Sequence, residues 1–318
     1  MFPFGRCAKM PMSDMTFEQF QIEYSTEEKC AEALFSARWP DGFECPRCAH
    51  RQYSVIRTRR LPLFECLSCR RQTSLIAGTI FECSRTPLTL WFKALFLHAR
   101  PEGISATRLA SLIGTTYKTA WLICHKIRHA MTSANSGELL SGLVRVNCAM
   151  YGRPYNPTIF RHPQQHPLLI GGTIGPNRSI THVKIRQVPD HQLVHDCITR
   201  GAGHDFIQKH VDPAVQDVPL VVQSCSPNRY APLLRIGTLV SNWIKYTFNG
   251  IGSKHLQSYL DQFCFGFNAR NRSSADLFAN LLHHGVLTTP LSYPNLIRRE
   301  DHSARRKRNY YSLLQKAS

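Results

Sequence analysis

The sequence predicts an α+β protein of several domains: a small β module built on paired cysteines, a helical segment, and a larger region in which strands precede helices. Three observations lead there. Two Cys-x-x-Cys pairs, Cys45/Cys48 and Cys66/Cys69, stand seventeen residues apart. Apolar residues at helical spacing fill residues 86–132, and beyond Leu139 the pattern changes to short apolar runs before helical spacing returns from Leu239 to Leu282.

The elements follow in order. Residues 1–38 read as a helical lead-in, with Phe17, Phe20, Ile22, Cys30, Leu34 and Phe35 at helical spacing and Ser25-Thr26-Glu27-Glu28 offering a cap and an acidic first turn. Residues 39–85 hold the cysteines in a Gly-bearing, β-like stretch. Residues 86–135 hold a strongly apolar helix, Leu88 to Ala99, broken by Pro101-Glu102-Gly103, then helices at about Ser105–Ile113 and Thr116–Met131 separated by Gly114. Ser133 to Gly137 reads as a linker. Within 139–285 the runs Leu143–Val146, Leu168–Ile174, Ile180–Val188 and Leu220–Gln223 read as strands, with a helix near His204–His210. Residues 286–318 form a basic tail carrying Arg305-Arg306-Lys307-Arg308, a charge run that is solvated or touches phosphates.

Charge narrows the function. Lys and Arg number 39 against 21 Asp and Glu, a formal +18, which favours a polyanionic partner. Nucleic acid leads, although ribosomal association or acidic lipid would give the same sign. The N-terminus lacks the long apolar run of a signal peptide, and no stretch approaches the 18 or so apolar residues of a membrane span. The expected place is the bacterial cytoplasm, associated with the nucleoid, where the 12 Cys stay reduced. Reduced cysteines in regular pairs point to metal.

The two pairs fit a zinc ribbon in which Cys45, Cys48, Cys66 and Cys69 bind one tetrahedral ion. Four thiolates leave no open position, so the zinc is structural. Arg47, Arg51, Arg57, Arg59, Arg60, Arg70 and Arg71 surround the pairs, with Tyr53 and Phe64 interleaved and Glu65 opposing. Guanidinium forks suit phosphates and guanine edges, though the arginines could equally serve only to solvate a small module. The two short helices about Gly114 match a helix-turn-helix, with Thr116, Tyr117 and Lys118 opening the reading helix. Trp121, Ile123, Cys124 and Ile127 would pack inward, leaving Lys118, Lys126 and Arg128 for the duplex; an ordinary helical hairpin would read similarly. From Cys45 to Met131, fourteen Lys or Arg face three Glu, a net of +11, so most of the excess charge lies in these two motifs.

Trp39-Pro40-Asp41-Gly42-Phe43, Gly103-Ile104-Ser105, Lys118-Thr119-Ala120-Trp121, His125-Lys126-Ile127-Arg128 and the segment Ser253 to Arg270 together resemble the zinc-ribbon, ISXO-like type of bacterial insertion-sequence transposases. The resemblance covers most of the chain and implies an RNase H-like domain at 139–285 that holds two divalent ions on carboxylates. The matching positions lack them. Asn147 stands for the first Asp and Cys148 for the adjacent Glu of the family's Val-x-Val-Asp-Glu pattern. Ser224 and Cys225 occupy the run of the second acid, and Gly237 that of the third, while Lys245 matches a basic residue that follows it. An amide or thiol attracts Mg²⁺ far less than a carboxylate, so no catalytic Mg is expected and the core is read as degenerate. Asp190, Asp196, Asp205, Asp212 and Asp217 are the acids left between Asn147 and Leu260. The middle histidines, from His162 to His210, fit no zinc spacing and read as surface residues, while Cys148, Cys197, Cys225 and Cys264 read as small buried hydrophobes.

The expectation is a domesticated, transposase-derived protein that binds double-stranded DNA, with homo-oligomerisation left open. Two alternatives stand beside it: an active transposase with unconventional ligands, and a ribbon-mediated assembly module.

Overall fold

The computed structural model describes residues 15–152, 161–162 and 164–298. The basic tail beyond 298 lies outside the described residues. Two helices open the chain, α1 (Phe17–Glu23) and α2 (Glu27–Arg38). Thr16 caps α1 in a capping box with Gln19, and Thr26 caps α2 ahead of acidic Glu27 and Glu28. The strands β1 (Tyr53–Ile56), β2 (Leu63–Cys66) and β3 (Gln72–Ser74) then form an antiparallel meander. Phe35 and Trp39 from the end of α2 meet Phe64 with ring centroids 5.1 and 5.3 Å apart, and Phe43 adds to the group. Tyr53 and Phe64, interleaved with the arginines in sequence, belong to this aromatic layer, because a thin meander needs an apolar underside.

Three helices follow: α3 (Leu88–His98), α4 (Ala106–Ile113) and α5 (Tyr117–Ser136). The predicted linker from Ser133 to Gly137 is instead the last turn of α5. Its Ala134 is buried and its Asn135 side chain donates to the Asp261 carbonyl at 2.6 Å, contacts that override the weak helix propensity of Ser and Asn. Phe20, Phe92 and Phe96 are fully buried, and Phe20 meets Phe96 at 4.3 Å and Phe278 at 4.9 Å.

The central sheet has the order β6-β5-β4-β9, made by β4 (Val144–Tyr151), β5 (His166–Ile174), β6 (Ile180–Gln187) and β9 (Leu220–Val221). The first three run antiparallel, and β9 lies parallel beside β4 with Asn147 opposite Val221. Between β6 and β9 come a small ribbon, β7 (Leu193–Val194) with β8 (Cys197–Ile198), and α6 (Arg200–His210). Strand alternation sends Cys148 and Leu169 to one face, beneath Phe206 of α6. Leu168 and Ile170 go to the other, beneath α7 (Ala231–Phe248) and α8 (Ser253–Asn268). Gly171 and Gly172 let α6 and α7 come close: a Cβ would lie 2.6 Å from the Phe206 ring of α6 in one case and 2.7 Å from Leu233 of α7 in the other.

The chain then returns. Helix α9 (Ser274–Leu287) packs on α2, α3 and α5, placing Leu277, Phe278, Leu281, Leu282 and Val286 in the core of the N-terminal helices, and α10 (Tyr293–Ile297) follows. The segment after about 270, grouped by sequence with the middle region, therefore packs in the N-terminal core. Among the described residues, no helix is long and apolar enough to cross a membrane.

Candidate metal centre and nucleic-acid interface

The cysteine pairs form two matching knuckles. Ala49 N–H donates to the Cys45 carbonyl at 2.9 Å and Arg70 N–H to the Cys66 carbonyl at 3.0 Å. Cys45 and Cys66 in turn donate backbone N–H groups to His50 and Arg71 carbonyls, both at 3.0 Å. The residue just after each pair, Ala49 or Arg70, takes a positive φ near 56° that turns the chain back. The four Sγ atoms converge within 4.8 Å of one another, with Cys45 to Cys69 and Cys48 to Cys66 at 3.6 Å. Thiolates about 2.3 Å from a tetrahedral zinc sit about 3.8 Å apart, so the quartet fits that ion. It is also the one group of three or more His, Cys, Asp or Glu among the described residues close enough to hold a metal.

All seven ribbon arginines are exposed. Acids engage several of them: Arg51 lies 4.0 Å from Glu44, Arg70 lies 3.5 Å from Glu65, and Arg60 pairs with Glu27. Glu65 is thus not their sole opponent. Glu27 does more, since its second carboxylate oxygen accepts from Leu88 N–H at 2.8 Å at the uncapped start of α3. Arg38 donates to the Ser74 and Leu75 carbonyls at 2.9 and 2.6 Å. These two residues fix the ribbon to the helices; they lie in the lead-in, where Glu27 read only as part of an acidic first turn and Arg38 carried no motif.

Helices α4 and α5 meet through Gly114, whose φ of 68° ends α4 in a left-handed cap. Thr116 caps α5 by accepting from Thr119 N–H, and Tyr117 and Lys118 project as exposed residues of the first turn. Lys118 Nζ stands 5.5 Å from the Tyr293 ring. Two expected duplex contacts are corrected. Lys126 is buried and donates to the Glu82 carbonyl at 2.8 Å. Arg128 is 1% exposed, donates through Nε to Gln262 at 2.8 Å, and lies 3.9 Å over the Tyr259 ring. The cause is helical period: eight and ten residues after Lys118, both positions on α5 have turned towards α3 and α8, while Trp121, expected inward, is partly exposed.

The positions matched by sequence to catalytic acids are divided between the two faces of the sheet. Asn147 is 2% exposed, and its side-chain amide donates to the Tyr230 carbonyl at 3.3 Å, at the start of α7. Two residues along the same strand face, Ala149 would lie 3.2 Å from a Cβ on Gly237, so α7 rests flush on β4 there. Cys148 points to the other face. Burial holds its thiol above the usual range, against the opposing pull of a Ser224 hydrogen bond and of Arg229. Arg229 donates to the Ser224 carbonyl at 2.8 Å, and Arg145 lies 5.1 Å over the Tyr230 ring. The acids between strands go elsewhere: Asp190 and Asp196 pair with Arg161 at 3.1 and 3.3 Å, Asp205 accepts from Gln192, and Asp212 accepts from Ala214 N–H.

Cys197 and Cys225, read as buried, are exposed: Cys197 opens the two-residue strand β8 of the small ribbon, and Cys225 lies in the loop between β9 and α7. His166, His182 and His210, read as surface groups, are partly buried, and burial holds His210 down at about 4.

Among known proteins, residues 25–72 match a family model described as a transposase zinc-ribbon domain. A protein of Halobacterium salinarum, described as an uncharacterized protein in transposable element ISH50, is 34% identical over 101 residues, which cover 31% of this chain and 33% of that relative. The matched segment is thus about a third of each chain's length. No solved structure matches. The chain is transposase-like, and its ribbon carries a cysteine quartet suited to structural zinc.

Proposed function

We propose that this chain is a transposase-derived protein that grips duplex DNA through the zinc ribbon and the α4–α5 pair, without the metal-dependent cutting and joining of a transposase. The observation that carries this reading is the transposase-type ribbon, ringed by exposed arginines and packed onto a helical layer that presents Thr116, Tyr117 and Lys118. A helix capped at Thr116, with its first turn exposed after a glycine turn, suits a helix-turn-helix whose second helix enters the major groove. Arginines on a rigid ribbon beside it suit phosphate contacts.

An RNase H-like reading of the middle region draws support from the sheet: three antiparallel strands, then a fourth parallel to the first, with helices on both faces. The positions matched to metal ligands carry Asn147, Cys148, Ser224, Cys225 and Gly237, and two-metal chemistry needs carboxylate oxygens to hold its ions. Gly237 is packed so closely on β4 and β5 that a longer side chain there would push α7 away.

Duplex binding by the full chain, titrated over a range of salt, tests the first half. The expected result is affinity that falls linearly in a plot of log affinity against log salt, as counterion release requires. No binding at low salt overturns it. Incubation with labelled duplex and Mg²⁺ or Mn²⁺ tests the second half: cleavage that disappears on substituting one of Asp190, Asp196, Asp205, Asp212 or Asp217 restores the active transposase.

A further inference from the structure

Helices α5 and α8 lie side by side and run in the same direction. Trp121 and His125 of α5 meet His255 of α8 with ring centroids 6.0 and 4.7 Å apart. Further along, Arg128 lies over Tyr259 and donates to Gln262, and Thr132 donates to Asp261 at 2.8 Å. The partners advance along both helices together, so the two first turns stand at the same end. Helix α10 reaches that end from the far side of the sequence: the Tyr293 ring is 6.3 Å from Trp121 and 5.5 Å from Lys118 Nζ.

Three segments distant in sequence thus make one outer face. Tyr117 and Lys118 of α5, Lys254 of α8 and Tyr293 of α10 are all exposed on it. Its charge is one-sided, since the chain has no Asp or Glu between Glu102 and Glu138, between Asp217 and Asp261, or between Asp276 and Glu300, the stretches from which the face is drawn. Asp261, the first acid along α8, lies about two turns below and is engaged by Thr132. Among the described residues, neither Lys118 nor Lys254 forms an ion pair. Two unneutralised ammonium groups and two phenols suit phosphate oxygens, to which both kinds of side chain donate.

We propose that the duplex surface of α4–α5 continues across α8 and α10, with Lys254 contacting a backbone phosphate beside the groove that α5 enters, and Tyr293 supporting Lys118 and donating its hydroxyl to a phosphate. The proposal rests on α5 as the reading helix. Size assigns the roles: the major groove of a duplex is about 12 Å wide and one helix with its side chains is about 10–12 Å across, so the groove admits α5 alone. A helix packed about 8–10 Å to its side falls over the bordering phosphates, where a compact ammonium charge is suited to contact without reading sequence.

Duplex titrations of the full chain over a range of salt test this, with Lys118→Gln, Lys254→Gln and Tyr293→Leu set beside Lys209→Gln. Lys209 is an exposed control on α6, across the central sheet from α8. Lys254→Gln should weaken binding several-fold on every duplex sequence and flatten the slope of log affinity against log salt by about 1, and the variant that also carries Lys118→Gln should flatten it by about 2. Tyr293→Leu should weaken binding several-fold with the slope nearly kept, because it removes no charge. Lys209→Gln should change neither quantity. Melting curves of the same samples should match the parent, since every substituted side chain is exposed, and so separate a lost contact from a lost fold. If Lys254→Gln or Tyr293→Leu behaves like Lys209→Gln while Lys118→Gln weakens binding, the composite face is overturned and the α4–α5 reading stands. If the parent chain binds no duplex at low salt, both fall.

Discussion

Lys118 and Arg128 lie ten residues apart on one helix, and their surroundings assign them opposite roles. Lys118 is exposed on the first turn of α5, so Lys118→Gln should weaken duplex binding and reduce the salt slope by about 1 while leaving stability unchanged, as paired titrations and melts would show. Arg128 is wedged between Gln262 and the Tyr259 ring, so Arg128→Ala should cost roughly 3 kcal/mol of folding free energy through lost packing and an abandoned amide, measurable by urea denaturation. Two buried histidines add a pH dependence. Burial is the main cause that holds His98 and His125 at about 3, against an ordinary 6.5. Between these values the unfolded chain binds more protons than the folded one, so the stability these rings contribute is intact above about 6.5 and is lost progressively as pH falls towards about 3. The urea midpoint should therefore drop between pH 7 and pH 5, and His98→Phe should flatten part of that drop. A midpoint that is constant over this range would mean that both rings take up protons as readily in the folded state as in the unfolded one.

Elements were legible in proportion to how local their causes are. The ribbon was readable because the Cys-x-x-Cys knuckle is a local device, and α4 and α5 because a cap, a period and Gly114 all agree. The last turn of α5 was missed, since Ser133-Ala134-Asn135-Ser136 becomes helical only against α8, whose contact no local signal announces. The buried state of Lys126 and Arg128 was missed for a similar reason: basic side chains mark the wet face of a helix unless a partner such as Gln262, distant in sequence, is known. Of the candidate site, the metal quartet was legible, while Glu27, legible only as an acidic first-turn residue, and Arg38, in no motif, hold the ribbon in place through partners distant in sequence. Gly114 gives this scale its test. A Cβ there meets nothing within 4 Å, so Gly114→Ala should cost only the backbone strain of a φ of 68°, about 1–2 kcal/mol, and DNA affinity should fall only as far as the α4–α5 angle shifts.

At the scale of the molecule, the N-terminal helices and α9 share one core, and this governs how the protein can be divided. Phe278 of α9 packs against Phe20, Tyr24 and Phe92, with ring centroids 4.9 to 5.5 Å apart, and Leu281 and Leu282 are buried beside it. The sequence could not show this, because the periodicity of α9 fixes an apolar stripe but not the partner some 250 residues earlier that covers it. A fragment cut at about 135 would leave that stripe's counterpart on α2, α3 and α5 open to water. Its apolar patch would then invite association rather than folding. Truncating Phe278 to Ala in the full chain removes most of a buried ring and should cost about 3–5 kcal/mol, with part of that appearing as loss of duplex affinity, because α5 is packed directly on α9. The check is to measure denaturation and DNA binding on the same preparation. If the two midpoints of a two-domain unfolding separate in Phe278→Ala, with the ribbon and α3–α5 melting first, then α9 closes the N-terminal core. If the variant melts like the parent, or if residues 15–136 alone fold and bind duplex with parental affinity, α9 is dispensable and the N-terminal module is self-sufficient.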